Sequence, residues 1–339
     1  MKTHPSRRSF IVGLLGSSIA VAGAYSRAVA EVMRKGLMLG VSGHTVANKR
    51  PLPPFTVERF ANTHSLRCLV LGDWGAGSGL QRTVAAGMAR YAEAEQPNWI
   101  ISTGDNFYPI GVSSAADNQF RTKWKNIYNT ASLRLPWYVA LGNHDYGDNP
   151  EAQVEYSSKD ADWIMPSRYY SVVKTLKSDH SKLSPISVEL FVLDTQALLK
   201  GTSKERELQC AWLDKQLAAG SATWRVVVGH HMIRSHGAYG DQAFMLSLVK
   251  PLLDKHGVHL YLNGHDHDIQ YIKRPEDTFA CITSGAGGGA RDTAFGEYTR
   301  YAATDGGFVA LAFTDTRIHA QFCDARGAVC YAQDVAVRA

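Results

Sequence analysis

The sequence has few cysteines and lacks the close spacing by which paired cysteines bind zinc or exchange disulfides. Its five cysteines include no C-x-x-C pair, so zinc-knuckle and thioredoxin-type interpretations have no support. Cys323 and Cys330 flank D-A-R-G-A-V, a predicted hairpin loop, where they could form a disulfide in an oxidising compartment or stay two packed free thiols. The odd count leaves at least one thiol free or in an intermolecular bond.

The sequence also lacks an internal repeat of fixed period, a low-complexity linker and a long uninterrupted apolar run. Without a repeat or a linker, one catalytic domain from about Leu66 to the end is the preferred organisation. The apolar segment from Phe10 to about Ala24 is interrupted by Gly and Ser and is short for a membrane span. We therefore expect no stable membrane anchoring.

That apolar segment belongs to an N-terminal stretch, residues 1–30, with the three parts of an export signal. Arg7 and Arg8 precede it, and A-V-A at its end has the small residues of a cleavage site. The match to Ser-Arg-Arg-x-Phe favours the twin-arginine route, while an ordinary secretory signal remains the alternative. The prediction is export by the bacterial twin-arginine machinery to the periplasm or the medium.

The charge balance shows no excess of one sign once this stretch is set aside. The full chain has 36 Lys and Arg against 31 Asp and Glu, a net charge of +5. Residues 1–30 hold four basic residues and no acidic one, so the remaining chain carries +1. Because a near-neutral chain is not attracted globally to polyanions, we expect no nucleic-acid partner.

From Leu66 onward, short apolar runs typical of buried strands alternate with segments of helical spacing, and the tail from Phe279 to Val335 is strand-like. The segments with helical spacing are 81–95, 120–128, 205–219 and 244–257. This alternation predicts an α/β fold over 66–339. A proline-containing extended lead-in, 31–65, precedes it.

Five of the apolar runs end in a glycine next to a polar residue that can bind a ligand. These polar residues are Asp73, Asp105, Asn143, His230, and His265 with His267. Ligands in open α/β sheets gather beyond the carboxyl ends of the strands, so these side chains are expected to converge. Each end alone is explained by a polar turn, but five such ends in one chain favour a shared site.

The segment T-G-D-N-F-Y adds a phenol to this set. A turn accounts for Gly104, Asp105 and Asn106 but does not require Tyr108. The combined oxygen and nitrogen donors exclude a soft thiolate site and indicate hard or borderline metals. G-H-D-H adds two imidazoles at i and i+2, which can reach two ions roughly 3.5–4 Å apart.

Five motifs in order, G-D-W-G, G-D-N-F-Y, G-N-H-D, V-V-G-H and G-H-D-H, resemble the five-block signature of the purple acid phosphatases within the wider metallophosphoesterase family. The resemblance covers roughly Leu66 to Gly289 and is strongest to the small, tartrate-resistant mammalian type. It implies a metallophosphoesterase-type β-sandwich of two mixed sheets flanked by helices on both sides. The domain 66–339 would then be a calcineurin-like catalytic domain.

The resemblance also implies a role for each motif residue. The implied ligands are Asp73, Tyr108 and His267 for a ferric ion, Asn143, His230 and His265 for a divalent ion, and Asp105 as the bridge. The divalent ion is Fe, Zn or Mn, and the sequence does not choose among them. Tyr108 is the discriminating residue, because most metallophosphoesterases lack this phenol ligand.

Two further histidines have implied roles on the substrate side. His144, after the motif residue Asn143, would contact the phosphate and help the leaving group. His236 matches a second substrate-side His-Gly, although its spacing from His230 is shorter than in the mammalian type. Asp145 is expected to hydrogen-bond near the ligands.

The leading hypothesis from these residues is an exported binuclear acid phosphatase acting on small phosphate monoesters by direct attack of a metal-bound hydroxide. A phosphodiesterase or nucleotidase on the same metal core is an alternative, because it would share every ligand and differ only in the pocket walls. A non-hydrolytic iron redox or storage protein is an alternative of another class. It would not need His144 or His236.

Overall fold

Two mixed seven-stranded sheets pack against each other and share one hydrophobic core. The structure is a computed structural model and describes residues 44–177 and 184–337. The core cluster combines buried residues of both sheets, such as Val70 of the first and Val226 of the second. The predicted signal, 1–30, lies outside the described residues.

The first sheet contains four strands from the N-terminal half of the chain and three C-terminal strands. From one edge to the other, its strands are β16 (Val329–Val337), β15 (Arg317–Asp324), β14 (Gly307–Phe313), β2 (Leu66–Leu71), β3 (Trp99–Ser102), β4 (Trp137–Val139) and β5 (Trp163–Ile164). Strands β2 to β5 are parallel, and β14 to β16 are antiparallel. The parallel strands β3 and β4 are buried along their whole length, as their uninterrupted apolar runs predict.

The second sheet is built in the same mixed way. Its strands are, in order, β13 (Thr299–Ala303), β10 (Ile269–Ile272), β11 (Ala280–Ser284), β9 (Leu260–Asn263), β8 (Trp224–Val228), β7 (Ile186–Val192) and β6 (Tyr170–Leu176). Its central strands β7, β8, β9 and β11 are parallel. A separate two-stranded parallel pair joins β1 (Val46–Ala47) to β12 (Thr293–Ala294).

Within residues 44–177 and 184–337, five α-helices and shorter helical turns connect these strands. The α-helices are α1 (Gly79–Glu95), α2 (Glu151–Tyr156), α3 (Thr195–Lys200), α4 (Ser203–Ala219) and α5 (Lys250–Lys255). The shorter turns are the π-helical Phe120–Lys125 and Met245–Val249 and the 3₁₀ turns Ala131–Leu133 and Asp145–Gly147. The helices predicted at 81–95 and 205–219 are confirmed within two residues. The segment 244–257 divides into a π-helical turn and α5, since Pro251 lacks the N–H needed to continue one ladder.

Helices cover both outer faces of the sandwich. On the first sheet, α1 packs through Val84 and Met88. On the second sheet, Phe191 of β7 belongs to a separate apolar cluster with Leu213 of α4 and Leu253 of α5. Successive strand residues point to opposite faces, so β7 serves the shared core and this outer cluster alternately. The expected β-sandwich with helices on both sides is therefore confirmed.

The lead-in is held to the domain by hydrogen bonds from His44 onward. Besides the β1–β12 pairing, the N–H groups of Phe60 and Ala61 donate to the carboxylate of Glu95 in α1. Cys323 and Cys330 lie on the two strands of the predicted hairpin, and all five cysteines are free thiols in the structure. Among the described residues, no helix has the length and apolar character needed to cross a bilayer.

Candidate metal centre

The predicted ligand side chains come from the loops that follow five parallel strands. These are Asp73 after β2, Asp105 and Tyr108 after β3, Asn143 after β4, His230 after β8, and His265 and His267 after β9. Three strands belong to the first sheet and two to the second. The carboxyl ends of both sheets thus contribute to one place.

The motif glycines let the acidic side chains approach the neighbouring backbone closely. A Cβ at Gly142 would lie 2.1 Å from a carboxylate oxygen of Asp105, and one at Gly264 would lie 2.3 Å from a carboxylate oxygen of Asp73. Both aspartates have left-handed backbone conformations, with φ of 57° at Asp73 and 52° at Asp105. A larger residue at either glycine would displace the acid, so the Gly-polar pairing reflects a steric requirement.

The first group of donors surrounds the hydroxyl oxygen of Tyr108. That oxygen lies 2.9 Å from Asp105 Oδ2, 3.1 Å from Asp73 Oδ1 and 3.1 Å from His267 Nε2. A phenol has only one proton to donate, so it cannot donate to both carboxylates at once. The geometry indicates lone pairs directed at a common point.

The second group surrounds Nε2 of His230. Its Nδ1 lies 3.0 Å from the carbonyl oxygen of Thr103, an acceptor, so Nδ1 carries the hydrogen and the lone pair of the neutral ring lies on Nε2. This Nε2 is 3.1 Å from Asn143 Oδ1, 3.1 Å from His265 Nδ1 and 3.5 Å from Asp105 Oδ2. The lone pair on His230 Nε2 therefore faces two other acceptors, the oxygens of Asn143 and Asp105.

One carboxylate oxygen, Oδ2 of Asp105, is common to both groups. Ligand atoms of Asp73, Asp105 and His230 all lie within 4.8 Å of one another, and the three side chains are buried. Within the described residues, neither aspartate forms an ion pair with an arginine or lysine. Two buried carboxylates without a fixed cationic partner require positive charge from elsewhere.

The pKa shifts of these groups show the same demand for positive charge. Burial would lower the pKa of His230, but the charges of Asp105 and Asp73 raise it to about 9. Burial and the same two carboxylates raise the pKa of Tyr108 well above its ordinary value. Burial, followed by the neighbouring His230 and His231, lowers the pKa of His265. The two carboxylates thus favour positive charge on the neighbouring His230 ring and disfavour ionisation of the Tyr108 phenol.

The residues present fit a pair of neighbouring cations. Each group offers three side chains with oxygen or nitrogen donors, and Asp105 lies between the groups. Carboxylate, phenolate, amide and imidazole donors suit hard or borderline metals. A cation bound in each group would accept these lone pairs and so remove the repulsion between them.

Comparison with known proteins places this geometry in a family. The model of the calcineurin-like phosphoesterases matches residues 66–268. Purple acid phosphatase 4 of Arabidopsis thaliana is 34% identical over 80% of this chain and 84% of its own length. Tartrate-resistant acid phosphatase type 5 of Mus musculus is 34% identical, covering 69% of this chain and 76% of its own. The chain belongs to the purple acid phosphatase family.

Solved structures agree on the fold of this purple acid phosphatase family member. GAP50, described as the anchor in the inner membrane complex of Plasmodium, aligns with a TM-score of 0.75 at 24% identity, covering 81% of this chain and 90% of its own. Purple acid phosphatase PPD1 of yellow lupin aligns with a TM-score of 0.54 at 16% identity, covering 79% and 53%. At these identities the likeness shows the fold alone.

Asp145, in the G-N-H-D motif, fixes two of the loops that carry family motif residues. Its carboxylate accepts hydrogen bonds from the N–H groups of Asn106, Phe107 and Gly142 at 2.8–3.2 Å and from Gln153 Nε2 at 2.8 Å. It therefore positions the backbone around Asp105 rather than bonding to a predicted ligand. The spacing of motifs in the sequence did not reveal this role of Asn106 and Gln153, because it depends on hydrogen bonds to a carboxylate that the fold buries beside them.

His144 lies beside the seven predicted ligands, which together are called the cluster here. Its backbone N–H donates to Asp105 Oδ1 at 2.8 Å, its ring centroid is 4.4 Å from that of Tyr108, and its Nε2 is 4.0 Å from Asp105 Oδ2. Its Nδ1 lies 2.6 Å from the carbonyl oxygen of Pro109. The imidazole is partly exposed and therefore accessible from solvent.

The structure does not bring His236 into contact with the cluster. Its ring lies against Gly296, and its backbone N–H donates to Gln270 Oε1 at 2.8 Å. Among the described residues, the His236 ring forms no hydrogen bond or ring contact with the seven predicted ligands. Its substrate-side role stays a prediction.

Two residues beside the cluster follow no motif and were missed by sequence reasoning. Tyr239 stacks on the ring of His265, and Arg291 donates to the hydroxyl of Tyr239. Arg291 follows the glycine-rich segment S-G-A-G-G-G, the one sequence signal that marks this region. The pairing itself depends on two loops that are 52 residues apart.

Proposed function

We propose that this protein is an exported acid phosphatase with a binuclear metal centre that hydrolyses phosphate monoesters. The supporting observation is the convergence of two groups of lone pairs on either side of Asp105, in a chain of the purple acid phosphatase family. A storage or redox protein would not need a solvent-accessible imidazole such as that of His144 beside this cluster.

The two groups differ in chemistry, and the proposed metals follow from that difference. Asp73, Tyr108 and His267 include a phenol, whose phenolate is a hard ligand suited to Fe(III), while Asn143, His230 and His265 suit a divalent Fe, Zn or Mn. Asp105 would bridge them. When bound, the metal pair would activate water as the nucleophile and neutralise part of the phosphate charge.

His144 would supply the proton for the leaving group, and its backbone would help to hold Asp105 in position. Because His144 Nδ1 is next to a carbonyl acceptor, it carries a hydrogen and leaves Nε2 as the atom available to the substrate. In its protonated form, Nε2 can hold the phosphate and give its proton to the leaving oxygen. The backbone N–H of His144 meanwhile holds Asp105 in place.

The test is metal analysis and a visible spectrum of the pure protein and of Tyr108→Phe. A phenolate on ferric iron absorbs visible light by charge transfer, so the wild type should be coloured and Tyr108→Phe should lose or strongly shift the band. Tyr146→Phe is the matched control, because the Tyr146 hydroxyl bonds to Asp194 and Arg168 outside the cluster.

Two results would overturn the assignment. A wild type with full metal occupancy and no visible band would require a non-ferric site. A Tyr108→Phe protein with the full band would place the phenolate elsewhere. A panel of phosphate monoesters and diesters on the same preparation tests the monoester preference against a diesterase or nucleotidase.

The proposed location rests on the N-terminal sequence, which lies outside the described residues. Arg7 and Arg8 before the apolar segment favour the twin-arginine machinery as a partner. Replacing both by lysine should leave phosphatase activity in the cytoplasm. Unchanged periplasmic activity of that double variant would contradict this route.

A further inference from the structure

Two adjacent buried residues, Asp194 and Thr195, contact loops that carry predicted ligands without being ligands themselves. Asp194 is 1% exposed and Thr195 is 0% exposed. They lie between β7 and α3, and β7 is the neighbour of β8 in the second sheet. The loop after β7 provides no predicted ligand, so these polar side chains need another explanation.

The hydroxyl of Thr195 holds the backbone of the loop after β8. Its Oγ1 accepts hydrogen bonds from the N–H groups of His230 at 3.2 Å and His231 at 3.1 Å. A hydroxyl that accepts two N–H groups still has its own hydrogen to donate, and His231 Nδ1 lies 2.8 Å away as the acceptor. One hydroxyl therefore fixes both the backbone of His230 and the orientation of the His231 ring.

The ring of His231 packs against two predicted ligands. Its centroid lies 4.5 Å from that of His265 and 5.1 Å from that of His230. The carbonyl oxygen of His231 accepts a hydrogen bond from the hydroxyl of Tyr261 at 2.6 Å, so both its backbone and its ring are held. The hydroxyl of Thr195 thus influences His265 through a fixed neighbour.

The methyl group of Thr195 has a separate role in packing. A Cβ at Gly229 would lie 2.5 Å from Thr195 Cγ2, so the threonine packs closely on that glycine. Valine at position 195 would keep the methyl group and lose the hydroxyl, whereas serine would keep the hydroxyl and lose the methyl group. Substitution can therefore separate the hydrogen bonds from the packing.

Asp194 connects the same place to the loop after β4. Its Oδ1 accepts the N–H of Ala197 at 3.0 Å, as the N-cap of α3, and its Oδ2 accepts a hydrogen bond from the hydroxyl of Tyr146. Tyr146 follows Asn143 in the loop after β4. Asp194 therefore holds the loop that carries Asn143.

These contacts reach one donor group and not the other. The group that contains His230 is contacted at all three of its members, directly or through a neighbour. Within residues 44–177 and 184–337, neither Asp194 nor Thr195 forms a hydrogen bond with the other group, Asp73, Tyr108 and His267. The support is therefore specific to one half of the cluster.

We propose that Asp194 and Thr195 are positioning residues for the divalent ion, which hold the loops after β4 and β8 at the separation that its ligands require. The inference rests on the proposed function, because it assumes a ferric and a divalent ion in the two donor groups. Losing a group that orients a metal ligand typically weakens metal binding by about 10–100-fold. Because only one donor group is contacted, this loss should be confined to the divalent ion.

The experiment removes the hydroxyl of Thr195 and follows the two metals separately. Thr195→Val should lower the affinity for the divalent ion by about 10–100-fold, because two buried N–H groups lose their acceptor. Chelator competition with elemental analysis measures this affinity. The visible band of the ferric phenolate should not move, since Tyr108 is not contacted. Thr195→Ser keeps the hydroxyl and should restore most of the affinity.

Thr202→Val is the matched control, because it removes the hydroxyl that caps α4 at an exposed position. It should leave both metals unaffected. Tyr146→Phe is an independent variant that decides the question if Thr195→Val does not fold. It removes the hydrogen bond to Asp194 and should lower the affinity for the divalent ion by about threefold to tenfold without moving the band.

Four results would overturn this inference. They are equal loss of both metals in Thr195→Val, unchanged affinity for the divalent ion in Thr195→Val or in Tyr146→Phe, no recovery in Thr195→Ser, and similar weakening in Thr202→Val. A wild type that binds fewer than two metal ions would instead refute the proposed function, since its metal content is measured before any substitution is made.

Discussion

Two clusters in the described part of the chain offer similar donors to a metal but differ in how their charge is balanced. One contains Asp73, Asp105 and His230, and the other contains Glu58, His319 and Asp334. In the second cluster, Arg317 donates to Glu58 Oε2 at 2.6 Å and to Asp334 Oδ2 at 3.1 Å. In the first, no arginine or lysine of the described residues forms an ion pair with either aspartate.

The difference shows that acids and histidines at short distances do not alone define a metal site. The second cluster supplies its own cation, and its carboxylates are about a third exposed, so water also stabilises them. The first cluster has neither advantage, since both aspartates are at most 1% exposed. An external cation is therefore needed only in the first.

The largest effect is expected from removing the shared carboxylate. Asp105→Asn should lose metal from both groups and lower phosphate-ester hydrolysis by about 10⁴-fold, since the metals provide several kcal/mol of transition-state stabilisation. Asp334→Asn is the counterpart in the second cluster and should keep full metal content and activity. Elemental analysis and initial rates measure both. Equal metal loss in the two variants would remove the distinction between the clusters.

His144→Ala should keep both metals and lose about 10²–10³-fold in rate, because His144 adjoins the first cluster without being a predicted ligand. The rate loss should be smaller for substrates with a better leaving group, which need less protonation. Metal analysis accompanies the kinetics. Loss of one metal equivalent would make His144 a ligand and contradict its assigned role.

Asp145→Asn tests the support of the first cluster. The new amide would place N–H donors against the N–H groups of Asn106, Phe107 and Gly142, so Asp105 should shift. Metal affinity should fall by about 10–100-fold, measured by competition with a chelator. Asp148→Asn, an exposed change in the same loop, is the control and should leave the affinity unaltered. Similar weakening in both variants would refute a specific positioning role.

The smallest effect should come from the second cluster. Arg317→Ala should lower the free energy of unfolding by only about 1 kcal/mol, because the pair is partly exposed. It would also leave Glu58, His319 and Asp334 without their cation, so Zn(II) should now stabilise this variant and not the wild-type cluster. Thermal melts of chelator-treated Asp105→Asn protein, with and without Arg317→Ala, isolate this response. If zinc does not shift the melting temperature of the Arg317→Ala protein, charge balance is not what distinguishes the two clusters.

Much of the fold could be predicted from the periodicity of apolar residues in the sequence. Uninterrupted apolar runs identified buried parallel strands such as β3 and β4, and α1 and α4 begin within two residues of the predicted helices because Ser78 and Thr202 cap them. The segment 120–128 was predicted as one helix, but only Phe120–Lys125 is helical, in a π-helical turn. Helical spacing does not distinguish a short π-turn from an α-helix.

The candidate ligands could be named from the sequence because each follows a strand with its glycine, a local steric pattern. The position of His236 against Gly296 could not, because it depends on a distant loop. The same holds for Arg317, which is separated by 259 residues from Glu58. Local spacing carries no information on such pairs.

The sequence by itself determined the alternation of strands and helices, the residue types at the strand ends, and the resemblance of five motifs to one family. Only the tertiary structure decided which acids lack a cationic partner and that Tyr239 and Arg291 lie together beside the cluster. The physical reason is that hydrophobic periodicity and steric limits act between near neighbours in the chain. Charge compensation acts between groups that only the packing of two sheets brings within a few ångströms.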